Sequence, residues 1–139
     1  MSEELTLIMG WIESTLKTDA TVSGYVGDRV YEGVGPDDCE YPFIVYQNQS
    51  ADDVRGVGTT TICADTMWLV KAIAESAPDR LAPVAAAITD ALTLSDGIAI
   101  TGGSILSSVR EQPFFMGEVD GSHVYNHLGG TFAISAQAT

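Results

Sequence analysis

His123 and His127 stand four residues apart, a spacing that on a helix sets two imidazoles on one face, as a zinc site requires. The surrounding "SHVYNHLGG", however, has the composition of a turn entering a strand, where that spacing makes no helical pair. No acid or cysteine lies beside them at ligand spacing, so the expectation is two polar residues on an exposed hairpin and no metal. Asp37–Asp38 and Asp52–Asp53 offer neighbouring carboxylates, but adjacent acids in a loop are ordinarily solvated charge. "GVGPDD" lacks the lysine and hydroxyl of a phosphate loop, and "ITGGS" lacks its length and following helix; both are turn sequences. No serine sits in a G-x-S-x-G elbow. Trp11 and Trp68 lie in apolar stretches among acidic residues, which suits core or subunit contacts better than base stacking. No catalytic constellation and no cofactor site emerges.

The elements that would position a site are easier to read. Leu5, Ile8, Met9, Ile12 and Leu16 form one helical stripe over residues 2–17. Ser2 caps its start, Glu3 and Glu4 suit its positive end, and Lys17 suits its negative end. In "TDATVSGYVGDR" the glycines Gly24 and Gly27 are expected to form turns. "RVYEGV" is a short strand. "PFIVYQNQ", β-branched and aromatic on both faces, is a central strand buried on both sides.

Residues 50–61, "SADDVRGVGTTT", are either a long exposed loop or the twisted tip of a hairpin. "CADTMWLVKAIAES" fits helix or strand by periodicity alone. "SAPDRLAPVAAAITDALTLSDG" is a second helix with Leu81, Val84, Ile88 and Leu92 as its stripe. Pro83 belongs in its first turn, and either Ser76 or Asp79 marks its start. "GIAITGGSILSSVREQPFF" gives one strand, or two short ones split at Gly102–Gly103, and "MGEVDGSH" is turn-rich. "GGTFAISAQA" alternates strictly, with Phe132, Ile134 and Ala136 facing the core. The order predicts one α+β domain over 1–139: an antiparallel or mixed β-sheet with two α-helices packed on one face.

Six basic residues against nineteen acidic ones give a net charge of −13. Such a surface repels phosphates, which argues against specific nucleic-acid binding, and the basic residues are scattered singly. No apolar run has the length of a membrane span, and "MSEELTLIMGWIES" lacks the basic start of a secretory signal. Cys39 and Cys63 are accordingly expected as reduced thiols.

One stretch is specific. "LKTDATVSGYVGDRVYEGV" followed by "YPFIVYQ" resembles the tail completion, or tail terminator, proteins of long-tailed phages, prophages and gene transfer agents. The resemblance rests on Thr18, Asp19, Ala20, Gly27, Arg29, Val30, Tyr31, Pro42, Val45 and Tyr46. Further on, "LAPVAAAITDAL" and "DGSHVYNHLGGTFAISAQ" fit the family's pattern, so the likeness spans nearly the whole chain. It departs at "NHLGG", where members often carry a basic residue after the histidine. The resemblance favours a strand for "CADTMWLVKAIAES". It implies a virion protein made in the host cytoplasm that breaks no bond. It also implies a homo-oligomer, a hexameric ring at the head-proximal end of the tail tube, with the tube protein and the head connector or stopper as partners. Genomic DNA would pass through its lumen unbound. Asp19 is expected to cap a turn after the first helix. Arg29 either pairs with a carboxylate of a neighbouring element or subunit, or is an exposed strand-start charge. Expected contact surfaces are the 50–61 segment with Asp52, Asp53 and Arg55, the 116–123 turn with Glu118, Asp120 and His123, the outward face of the last strand, and Tyr31. Two other classes stay open: another connector component such as a head-completion or stopper protein, and a small α+β ligand-binding domain or enzyme.

Overall fold

The computed structural model describes residues 2–75 and 78–139. Helix α1 (Glu3–Thr18) opens on Ser2, whose side chain accepts from the Leu5 amide, and buries Ile8, Trp11, Ile12 and Leu16. Asp19 then does two jobs. Its own N–H closes α1 on the Thr15 carbonyl, and its carboxylate accepts from the amides of Thr21 and Val22 at 3.0 Å, capping a second helix, α2 (Ala20–Val26). The expected turn is therefore a helix. Gly24 lies inside it with open space around it, while Gly27 ends it at φ +61°, a conformation that disfavours side chains. The sequence signal was concealed because Thr21, Val22 and Ser23 are weak helix formers; the cap and the burial of Val22 and Val26 outweigh that.

Strand β1 (Val30–Glu32) follows, then β2 (Phe43–Arg55) and β3 (Thr61–Ala74), a 3-10 turn (Pro78–Arg80), helix α3 (Ala82–Leu92), and strands β4 (Ile98–Ile100), β5 (Gly103–Asp120) and β6 (His123–Ala138). The helices number three, one more than expected. Pro83 sits in the first turn of α3, and Leu81, Val84, Ile88 and Leu92 are buried. Of the two candidate start residues, Asp79 lies in the 3-10 turn and Ser76 lies outside the described residues. The 50–61 segment is the hairpin tip rather than the loop, since strand pairing runs to Arg55–Thr61. "MGEVDGSH" is largely strand: β5 reaches Asp120 and only Gly121 and Ser122 turn.

The sheet order is β1-β2-β3-β6-β5-β4, with β1 parallel to β2 and every other pair antiparallel. Thus "PFIVYQ" lies one strand in from an edge rather than at the centre, yet its residues Phe43 to Tyr46 are buried as expected. The helices cover one face. Ile44, Tyr46, Trp68, Val70, Phe132, Ile134 and Ala136 point into that layer and join the α1 and α3 stripes in one core. The polar atoms of Tyr46, Thr66 and Trp68 are paired inside it, whereas among the described residues the fully buried Ser108 hydroxyl opposite Ile134 has no hydrogen-bond partner. Tyr46 donates to Glu13 Oε2 at 2.8 Å, while Lys17 holds the other oxygen of Glu13 at 2.7 Å. The Trp68 indole donates to Thr66, which in turn donates to the Ile134 carbonyl. β-Bulges at Asn48/Ser50 and at Arg110/Gln112 flank the paired Trp68 and Phe132, so both sides of the sheet are kinked at one level. No described helix is long and apolar enough to cross a membrane.

Candidate functional site

The face of the sheet away from the helices is bare along most of its length, and there the chain collects its unusual side chains. Period-two alternation sends Lys71, Ile73, His127 and Tyr125 to this side, opposite the core residues of the same strands. The lower half of the β5–β6 hairpin and the 33–42 segment flank a cleft of about 340 Å³, lined by Tyr41, Phe43, Lys71, Glu118, Tyr125 and His127 among others. The hairpin and the loop meet through Tyr125 and Tyr41, whose ring centroids are 5.9 Å apart. Tyr41 packs on Phe43 in turn, and Phe43 on Tyr31.

Within the cleft charge is held at a cost. The Lys71 ammonium lies 5.5 Å from the centroid of the Phe114 ring. Burial pulls its pKa down, against the pull of Glu118. His127 is buried, with Nε2 3.4 Å from Glu118 Oε1 and Nδ1 without a partner. Burial and then the Lys71 charge hold its pKa below the ordinary imidazole value, and Glu118 opposes both. His123 behaves in the opposite way. It is exposed, lies 2.5 Å from Glu75 Oε1, and its pKa is raised by that hydrogen bond. The expectation of two histidines on an exposed hairpin thus holds for His123 and fails for His127. His127 sits higher on β6, where Ile73 and Met116 flank it in register.

The residues expected on contact surfaces fall into separate groups. Glu118 and Asp120 line the cleft, and His123 stands beside them at the hairpin end. Asp52, Asp53 and Arg55 lie at the opposite end of the sheet, on the β2–β3 hairpin. There Arg55 pairs loosely with Asp53 at 3.8 Å, and Asp52 lines a shallow depression with Asp65 and Ser135. Arg29 is engaged within its own chain. Its Nε donates to the Pro42 carbonyl at 3.1 Å, Nη2 to the Tyr25 carbonyl at 3.4 Å, and Nη1 lies 3.7 Å from Glu40. The neighbouring-element alternative therefore describes it, and the residue ties the end of α2 to the start of β2. Tyr31 accepts a long hydrogen bond from the Cys39 thiol, 3.6 Å away, and both cysteines are free.

Lys71 escaped the sequence reading although a signal existed: it is the lone charge inside the apolar run "MWLVKAIA". Tyr41, Glu75 and Tyr125 had no local signal, because only the fold brings Tyr41 and Tyr125 to the cleft and Glu75 to His123. Among the described residues no group of His, Cys, Asp and Glu is arranged to hold a metal. What the face offers is aromatic surface, two cationic or proton-donating groups and several carboxylates, which are components of a binding surface.

Comparison with known proteins supplies the identity. No curated protein matches the chain. Among solved structures, a chain from the "Virion of native gene transfer agent (GTA) particle" superposes with a TM-score of 0.71 at 16% identity, over 99% of this chain and 98% of that one; the fold is shared along its whole length. The family profile described as "Tail completion protein gp17" matches residues 12–125. That span contains the α1–α2 corner, the Arg29 anchor and every lining residue of the cleft but His127, and the chain belongs to the tail completion protein gp17 family.

Proposed function

We propose that this protein is a structural component of the virion, forming a ring that caps the head-proximal end of the tail tube. The ring stops tube polymerisation and presents a surface to the head connector or stopper. The observation that carries the reading is membership of the tail completion family; the likeness in fold to a chain of a gene transfer agent virion agrees with it. The chain does its work through surfaces rather than bond breaking. The bare sheet face and the two projecting hairpins provide them, with Asp52, Asp53, Arg55, Glu118, Asp120, His123 and Tyr31 as contact residues. Arg29 supports this surface by fixing the Pro42 region. A closed ring needs heterologous contacts, each copy presenting two different patches, and these hairpins lie at opposite ends of the sheet.

The charge of −13 suits a lumen through which DNA slides without sticking. Neutralising lumen-facing acids should then slow DNA ejection, and unchanged ejection would count against this part of the reading. Electron microscopy of particles, or of purified tubes incubated with the protein, tests the whole. A six-fold ring at the head-proximal end is the expected image; its absence from that position overturns the terminator role, and a location elsewhere in the neck favours another connector component. A second reading, a small-ligand domain, is favoured by the Lys71–His127 cleft, whose volume is at the small end of ligand sites. A ligand that raises thermal stability while the protein stays off the tubes would select it.

A further inference from the structure

The cleft on the bare sheet face holds a half-buried cation with no counter-ion among the described residues, and we propose that it binds the carboxylate of an acidic residue set between apolar residues on a partner protein. This rests on the virion reading above only in taking the occupant to be a protein; the cation and the walls around it argue for the rest.

Lys71 is the centre of the site. Lys17, Arg29 and Arg55 each lie beside a carboxylate of their own chain. Arg80 and Arg110 do not, but both are exposed and water serves them. Lys71 is half-buried, and among the described residues its ammonium has neither an ion pair nor a hydrogen bond; its close partner is the Phe114 ring. A cation–π contact offsets part of the cost of burial but leaves the three N–H donors unused. Glu118, an acid of the same cleft, is turned to His127 instead, at 3.4 Å.

The walls select what carries the oxyanion. In register, Val45 lies directly across from Lys71, and Phe43 across from Ile73, so apolar surface adjoins the ammonium. Phe43 is held from several sides. A Cβ at Gly35 would lie 2.6 Å from its ring, and Tyr31 and Tyr41 pack against it. Arg29 fixes the neighbouring Pro42 carbonyl. Arg29, Tyr31 and Pro42, from the most specific part of the sequence, thus hold one wall of the cleft in place. At its rim Val34 is 83% and Tyr41 43% exposed. A small acid would leave that rim bare, whereas a chain with apolar residues beside its acid covers it.

The charge of the whole molecule works against an acidic occupant, but only at long range. At physiological ionic strength exposed charges farther apart than about 8 Å are largely screened, while a partly buried pair is screened much less. Contact with Lys71 therefore outweighs the distant acids. Glu118 and Asp120 line the cleft and are exposed, so they oppose an acid without sealing the site. Their repulsion rejects a diffuse acidic surface and admits a carboxylate aimed at the ammonium, which is a source of selectivity.

NMR titration of the full-length protein with two peptides tests the inference: acetylated and amidated Phe-Asp-Phe, and the same peptide with Asn in place of Asp. The Asp peptide should shift the amide signals of 33–35, 43–45, 71–73 and 125–127. It should bind at least about tenfold tighter than the Asn peptide, the usual worth of a charged hydrogen bond. Lys71→Met should abolish that preference. Glu118→Gln should enlarge it, a gain that misfolding cannot imitate. The bound carboxylate should also raise the His127 pKa, because it offsets the Lys71 charge that helps to hold it down. Equal binding of the two peptides, a preference unchanged in Lys71→Met, or no binding of the Asp peptide overturns the assignment. Phenylacetate binding tighter than the Asp peptide gives the cleft to a small acid and overturns the protein occupant. Each of these outcomes leaves the terminator role to be decided by microscopy of the tubes.

Discussion

The two faces of the central sheet are built from alternate residues of the same strands, yet they follow opposite rules. Toward the helices, Trp68, Val70, Phe132, Ile134 and Ala136 are buried almost completely, and the Trp68 indole and Thr66 hydroxyl carried with them are paired internally. Away from the helices the alternate positions mix the buried Val45 and Leu69 with Lys71, Thr131 and Ser135, and the acids Asp65 and Glu118 lie beside them. Burial on one side supplies the stability of the fold, because apolar area removed from water is the dominant favourable term. The other side is thereby released from that duty and can carry charge at positions a core would reject.

The sharpest way to break this contrast is a pair of substitutions on β6. Phe132→Ala should cost about 3–5 kcal/mol, the usual loss for a fully buried phenylalanine. Ser135→Ala, three residues on and facing the other way, gives up only the bond to Asp65, worth about 1 kcal/mol. Urea denaturation of the two variants measures both, and similar losses would show that the bare face also contributes to the folding core.

Next in size is Gly129→Ala. A Cβ at Gly129 would lie 2.1 Å from the Val70 carbonyl oxygen and 2.6 Å from the Lys71 Cα, so β6 and β3 would have to part. A cost of about 1–3 kcal/mol is expected, with the larger change in hydrogen exchange along 69–73. A neutral substitution would mean that the strands separate easily there.

The covered face was legible in the sequence because its signals are local. The α1 stripe, the α3 stripe and the alternation of "GGTFAISAQA" each name the residues that are buried. The bare face was not, because its site is a product of register. Lys71 meets Glu118 only through the β3–β6–β5 pairing, and Tyr41 meets Tyr125 only when the hairpin reaches the 33–42 segment. The α2 helix was missed for a third reason: a seven-residue segment of weak helix formers is decided by its cap and by packing rather than by propensity. Asp19 was identified as a cap while the length of what it caps was not.

A smaller effect sharpens the comparison through pH. His127 has a folded pKa below its unfolded value of about 6.5. The stability it contributes is complete above about pH 6.5 and is lost as pH falls through the folded value; each full unit of depression corresponds to about 1.4 kcal/mol. His127→Gln should therefore flatten the acid side of the stability profile below about pH 6.5. NMR titration identifies the cause. Lys71→Met removes the repelling charge and should move the His127 pKa up, whereas Glu118→Gln removes the opposing attraction and should move it further down. If neither substitution moves it, the cleft is electrostatically looser than its distances indicate.

The smallest effect is expected at His123, where the same residue type on the same strand has the reverse sign. Its folded pKa is raised by Glu75, so the pair contributes fully below about pH 6.5 and is lost as pH rises through the folded value. The side chains are 56% and 40% exposed, and solvent screens such a pair until little stability remains. The effect belongs in the titration rather than in the melting curve. Glu75→Gln should bring the His123 pKa back toward the ordinary value and leave His127 unmoved, because the two imidazoles answer to different carboxylates, Glu75 and Glu118. A joint shift of both histidines would instead mean that the hairpin end moves as one body when the Glu75 contact is lost. The β5–β6 arm would then be held in place by that contact.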